Sequence, residues 1–67
     1  MENANKVQKN YKVDLTYFIQ NNGAYVQCKV AYHLQAISVH QALFFAVMKL
    51  KGVALEDIED VKIEREL

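Results

Sequence analysis

One dipeptide, Asn22-Gly23, constrains the fold of this chain more than any other feature. Asn-Gly is the preferred central pair of a two-residue type I′ hairpin loop, because both loop positions need a positive φ. A loop at these residues places Asn21 opposite Ala24 and so fixes the pairing of the two strands that flank it. The chain is therefore predicted to contain a long antiparallel hairpin in a single register.

The predicted hairpin has one apolar face. Its facing pairs are Ile19–Val26, Tyr17–Cys28, Leu15–Val30, Val13–Tyr32 and Tyr11–Leu34. A slip of one residue would move all of these side chains to the other face, so the pattern specifies one register. The opposite face is polar except for Phe18 and Tyr25, which are diagonal neighbours near the turn. We predict that these two rings form either a small aromatic cap or a second, exposed contact patch.

A helix is predicted from Val39 to Lys51. Ser38 is a favourable N-cap, and Gln41 completes a Ser-x-x-Gln capping box. Gly52 follows as the C′ residue, a position that commonly has a positive φ. Apolar residues recur with helical spacing and predict a core-facing stripe of Val39, Ala42, Leu43, Ala46, Val47 and Leu50.

Phe44, Phe45 and Met48 fall outside that stripe, on the opposite half of the helical wheel. A helix that is apolar nearly all round needs burial on two sides, and one three-stranded sheet covers only one of them. Aromatic residues and Met are enriched in interfaces between proteins. We therefore predict that the trio contacts either a second copy of the chain or another protein, and the sequence leaves these alternatives open.

A short third strand is predicted around residues 61–64, starting as early as Glu59. A helical crossover should return this strand parallel to strand two and beside strand one, in the order 2-1-3 with antiparallel neighbours. The alternative is pairing of strand three with its own copy across a dimer axis. The predicted fold class is α+β: a ββαβ domain over residues 10–67, with one helix packed on one face of a three-stranded, mostly antiparallel sheet. Residues 1–9 are polar and are predicted to be a flexible N-terminus.

The formal net charge of zero hides a segregation of charges. Residues 1–52 are basic overall, and residues 53–67 are acidic overall. A solvated acidic strand is the usual explanation. The alternative is a docking surface for a second copy or a basic partner, and its candidate residues are Glu56, Asp57, Glu59 and Asp60.

The sequence contains no recognisable catalytic or metal-binding pattern. His33 and His40 belong to no His-x-x-x-His or Cys-x-x-Cys motif, so no metal site is predicted. Asp14 and Thr16 share a strand face with His33, but an open sheet face supplies no water-excluded pocket for catalysis. We predict a protein that is not an enzyme and that has no cofactor.

Cys28 is the only cysteine, so the chain cannot form an internal disulfide. Its place on the apolar hairpin face predicts a reduced, buried thiol, as in cytoplasmic proteins. The N-terminus lacks the pattern of a signal peptide, and no stretch reaches the roughly 18 apolar residues of a membrane span. We therefore expect a cytoplasmic protein without a membrane partner.

The strand–strand–helix–strand order, the hairpin beginning at Tyr11 and the acidic stretch 56–60 resemble small phage-encoded inhibitors of uracil-DNA glycosylase. The resemblance implies a homodimer that blocks an enzyme's DNA-binding cleft with carboxylates and a hydrophobic pocket. The hairpin–helix–strand pattern is equally similar to the antitoxin domains of small toxin–antitoxin pairs.

These observations together predict a non-catalytic, homodimeric protein-interaction module. Its partners would be a second copy and an unidentified protein, and its role that of a phage or mobile-element inhibitor or regulator of a host protein. The alternative is a single-stranded nucleic-acid-binding or antitoxin-like regulatory domain, because Tyr and Phe interleave with Lys on the strands.

Overall fold

A computed structural model describes residues 7–67 of the chain. Its elements are β1 (Lys9–Asn21), β2 (Ala24–Ala36), α1 (Val39–Lys49), a 3₁₀ turn (Leu55–Asp57) and β3 (Ile58–Glu66). The strands form one open antiparallel sheet in the order β2-β1-β3. The predicted ββαβ fold and strand order are confirmed, and β3 pairs with β1 of the same chain. The first six residues of the predicted flexible N-terminus lie outside the described residues.

The hairpin turn has the predicted geometry. Asn22 and Gly23 have φ angles of 54° and 83°, and a type I′ turn requires positive φ at both positions. The ladder runs from the pair Asn21–Ala24 to the pair Lys9–Ala36 and contains every predicted apolar pair. The turn and the alternation of side chains therefore specify the same register.

Replacing Gly23 by Val is expected to destabilise the fold by about 1–2 kcal/mol, because a side chain at a left-handed φ crowds the following carbonyl. A Cβ added at Gly23 meets no atom within 4 Å, so the cost arises from the backbone conformation alone. Urea unfolding of both proteins measures the loss. Gly23→Asn is the control, since Asn tolerates positive φ; an equal loss in both variants would contradict this assignment of the turn.

Helix α1 begins where the capping signal predicts. Ser38 Oγ accepts a hydrogen bond from the Gln41 backbone N–H at 3.2 Å. The Gln41 side-chain oxygen accepts a hydrogen bond from the Ile37 N–H at 2.9 Å, one residue before the amide that a capping box uses. The helix ends at Lys49, before the predicted Lys51, because Leu50 already has extended φ and ψ of −88° and 95°.

The core lies between α1 and one half of the sheet. Its fully buried residues are Tyr11, Val13, Leu15, Ala36, Ala42 and Ala46. Two of these are helix alanines, whose small side chains let the helix lie close to the strands. The contact line of the helix therefore follows Ala42 and Ala46, and Phe45 packs beside it although its predicted place was the outer half. Val39, predicted in the core stripe, is 48% exposed.

The sheet is much longer than the helix that covers it. Strands β1 and β2 have 13 residues each, which corresponds to about 44 Å of strand. Helix α1 has 11 residues, which corresponds to about 16 Å. At the turn end, Ile19 and Val26 remain 39% and 42% exposed. Cys28 is half-buried rather than buried, because the helix does not reach this end of the hairpin.

Candidate interaction surfaces

One apolar groove lies between α1 and the 3₁₀ turn, and we call it the outer groove. Its lining residues are His40, Leu43, Phe44, Val47, Met48 and Leu55. Phe44 and Met48 are each 60% exposed, and Leu55 is 71% exposed. The Phe44 ring lies tilted against the Phe45 ring, with 6.2 Å between the ring centroids. The outer groove thus presents large apolar side chains to solvent, and the Phe44 ring contacts the ring of Phe45.

A second groove lies between α1 and strand β2, and we call it the edge groove. It is lined by Leu34, Phe45, Met48 and Lys49. The helix trio predicted as an interface is therefore divided between two surfaces. Phe44 belongs to the outer groove, Phe45 to the edge groove, and Met48 to both.

The structure brings together two surfaces that the sequence suggested separately. Phe18 and Tyr25 line one groove with Glu56 and Asp57, and Tyr25 is 67% exposed. We call this the aromatic groove. It forms because the 3₁₀ turn that carries the carboxylates lies beside the turn end of the hairpin. No local pattern in the sequence indicates this contact, since the rings and carboxylates are far apart along the chain.

The other two predicted carboxylates lie elsewhere on the sheet. Glu59 accepts a hydrogen bond from the Gln27 side chain at 3.1 Å. Asp60 faces Thr16 of β1. Of the four acidic candidates, only Glu56 and Asp57 line a groove with aromatic rings.

The sheet face opposite α1 carries facing pairs of opposite charge. Lys12 lies opposite Glu64, and Asp14 lies opposite Lys62. Such cross-strand pairs stabilise a sheet by a few tenths to about 1 kcal/mol each. The charged residues of β1 and β3 on this face thus pair with opposite signs, with the acid on β3 in one pair and on β1 in the other.

The two histidines occupy different surroundings. His33 Nδ1 lies 3.1 Å from both carboxylate oxygens of Glu66, near the ends of β2 and β3. Asp14 has Ala31 and Lys62 as its strand neighbours, so the structure joins His33 to Glu66 rather than to Asp14. His40 lines the outer groove, a role that its place in the first helical turn did not indicate.

Among residues 7–67, no group of three or more His, Cys, Asp or Glu side chains is placed to hold a metal ion. No helix in the described part of the chain has the length and apolar character to cross a membrane.

A scan against models of protein families, a search of curated proteins and a search of solved structures each returned no match to this chain. The resemblance to inhibitors of uracil-DNA glycosylase therefore stays a prediction.

Proposed function

We propose that this protein is a small interaction module that acts by binding other proteins and not by catalysis. The observation that carries the proposal is the outer groove, where Phe44, Met48 and Leu55 are at least 60% exposed. Fully burying one such side chain contributes about 1.5–3 kcal/mol. Covering the groove with an apolar partner surface would therefore stabilise a complex substantially.

The aromatic groove supports the same function and indicates the chemistry of one contact. Phe18 and Tyr25 offer ring faces, and Glu56 and Asp57 offer carboxylates within the same groove. A Lys or Arg side chain binds favourably over an aromatic face and beside a carboxylate. The proposed partner thus presents apolar side chains to the outer groove and a basic side chain to the aromatic groove.

The role that fits such a module is that of a protein encoded by a phage or mobile element that inhibits or regulates a host protein. The support for this role is the element order and the placement of carboxylates beside an aromatic surface. Self-association would double the binding surface.

Replacing Phe44 by Glu is expected to abolish capture of the partner while preserving the fold, because Phe44 is mostly exposed and exposed substitutions change stability by about 0.5 kcal/mol or less. Tagged wild type and Phe44→Glu are used to capture proteins from a bacterial lysate treated with nuclease. The wild type should retain one protein in stoichiometric amount, and the variant should lose it. Quantitative mass spectrometry of the captured proteins measures both.

The control for this experiment is Gln8→Glu, which adds the same charge at an exposed residue that precedes β1 and lines none of the three grooves. It should capture the partner as the wild type does. Equal capture by wild type and Phe44→Glu would contradict the assignment of the outer groove.

Nucleic-acid binding is the second candidate function, and one observation favours it. The open sheet face carries Lys29 together with Phe18 and Tyr25, which is a combination found in single-strand binding sites. The same face holds carboxylates opposite Lys12 and Lys62, however, which reduces its positive potential. Proteins that are captured from an untreated lysate but not from a nuclease-treated lysate would identify this function instead.

A further inference from the structure

The outer edge of β2 is free to pair with another strand. Within residues 7–67, β2 has β1 as its one neighbour in the sheet. Asn21 and Ala24 close the turn as its first and last residues, so they are hydrogen-bonded to each other. Because bonding alternates along an antiparallel strand, the backbone groups that point to the free edge are those of Tyr25, Gln27, Lys29, Ala31, His33 and Gln35.

This edge has few of the features with which proteins usually block pairing. Strand β2 is 13 residues long and contains no proline and no acidic residue. Short edge strands, prolines, bulges and charges are the common means of preventing strand addition. On β2 only Lys29 and His33 offer any such protection, and both side chains point to the open sheet face.

On the face of the hairpin that packs against α1, the half near the turn is not covered by the helix. Ile19 and Val26 are 39% and 42% exposed near the turn, where α1 does not reach. The edge groove lies at the other end of β2, beside Leu34. One strand therefore carries an apolar groove at one end and an uncovered apolar surface at the other.

We propose that a second copy of this chain pairs its β2 antiparallel with this edge, around a two-fold axis perpendicular to the sheet near Val30. This inference rests on the proposed function as an interaction module. Val30 is the middle residue of β2, so the pairing sets the bare end of each strand beside the helix-covered end of the other. The edge groove, with Phe45 and Met48, then covers the partner's Val26.

The size of this contact lies at the lower end of the range for a stable dimer. It runs along about 44 Å of strand; it is one sheet deep, about 10 Å, along this length and about 20 Å deep where α1, about 16 Å long, covers the sheet. It therefore covers on the order of 600 Å² on each protomer. Pairing around Val30 also sets Lys29 opposite the partner's Ala31, so no like charges lie directly opposite each other.

Ala31→Pro tests the pairing, with Ala31→Ser as the matched control. Ala31 is exposed, and its N–H points to the free edge, so proline removes a bond of the dimer and none of the β1–β2 ladder. Sedimentation velocity over a wide concentration range should give wild type and Ala31→Ser as dimers, and Ala31→Pro should dissociate at least about 100-fold more readily. Dimerisation of Ala31→Pro as tight as that of Ala31→Ser would overturn the inference.

A second experiment stands even if Ala31→Pro fails to fold. In a Cys28→Ser background, single cysteines replace Lys29, Val30 or Ala31 in turn. Facing residues at the axis have Cα atoms about 4.5–5.5 Å apart, which suits a disulfide. Oxidation should give a covalent dimer most completely with Val30→Cys; absence of a covalent dimer at all three positions would overturn the inference. The proposed function fails separately, when Phe44→Glu captures the same proteins as the wild type.

Discussion

Replacing Leu15 by Ala is expected to remove most of the stability of this domain. Leu15 is 1% exposed in the middle of β1, the central strand of the sheet. A buried Leu→Ala change costs about 2–5 kcal/mol. A domain of 67 residues has a total free energy of unfolding of about 3–10 kcal/mol. Thermal and urea unfolding followed by circular dichroism should show a strongly lowered midpoint or no folded state.

The control for Leu15 is Val61→Ala. Val61 lies opposite Leu15 on β3 and on the same face of the sheet, but it is 38% exposed. Its truncation should cost about 1 kcal/mol or less. Equal losses at the two positions would show that the core is not centred on β1.

Replacing Met48 by Glu is expected to abolish self-association and to leave the folded monomer intact. Met48 is 60% exposed, so the monomer tolerates a charge there. In the proposed dimer the same side chain is covered, and an unpaired carboxylate in an apolar contact costs several kcal/mol. Since about 1.4 kcal/mol corresponds to a tenfold change in affinity, the dimer should weaken at least about 100-fold. Sedimentation velocity measures the change.

Gln8→Glu again serves as the control, because it adds the same charge at an exposed residue outside the strands and the edge groove. This variant should dimerise as the wild type does. A Met48→Glu variant that keeps wild-type affinity would exclude the edge groove from the interface. Together with Ala31→Pro, the comparison separates a helix contact from a strand contact.

The hairpin and the start of the helix could be predicted from the sequence because their signals are local. Asn22-Gly23 sets the turn, and the alternation of side chains on both strands fits only one register. Ser38 and Gln41 mark the helix start through hydrogen bonds within a few residues. In each case the interacting groups lie close together along the chain.

The detailed arrangement of β3 could not be predicted in the same way. A register shift between Thr16 and Tyr17 leaves Glu59 as an extra residue in the ladder, which is the character of a β-bulge. Ile58 therefore packs against the core although simple alternation would place it on the face of Asp60. The sequence of β3 alone contains no signal for this shift.

The sequence predicted which residues form the candidate surfaces, but it did not predict how the fold distributes these residues among the grooves. The outer position of Phe44 and Met48 followed from the helical wheel, whereas Phe45 packs against the core because the contact line follows two alanines. The aromatic groove joins Phe18 to Asp57 through a contact between distant segments. Such contacts depend on how the helix and the 3₁₀ turn settle on the sheet, which local patterns do not specify.

The most direct test of the central claim, that this domain works through exposed binding surfaces and first of all binds its own copy, is the mass of the wild-type protein in solution. Sedimentation equilibrium across a wide concentration range is expected to show a reversible equilibrium that approaches twice the monomer mass of 7.7 kDa. A single species of 7.7 kDa at every concentration would contradict the claim.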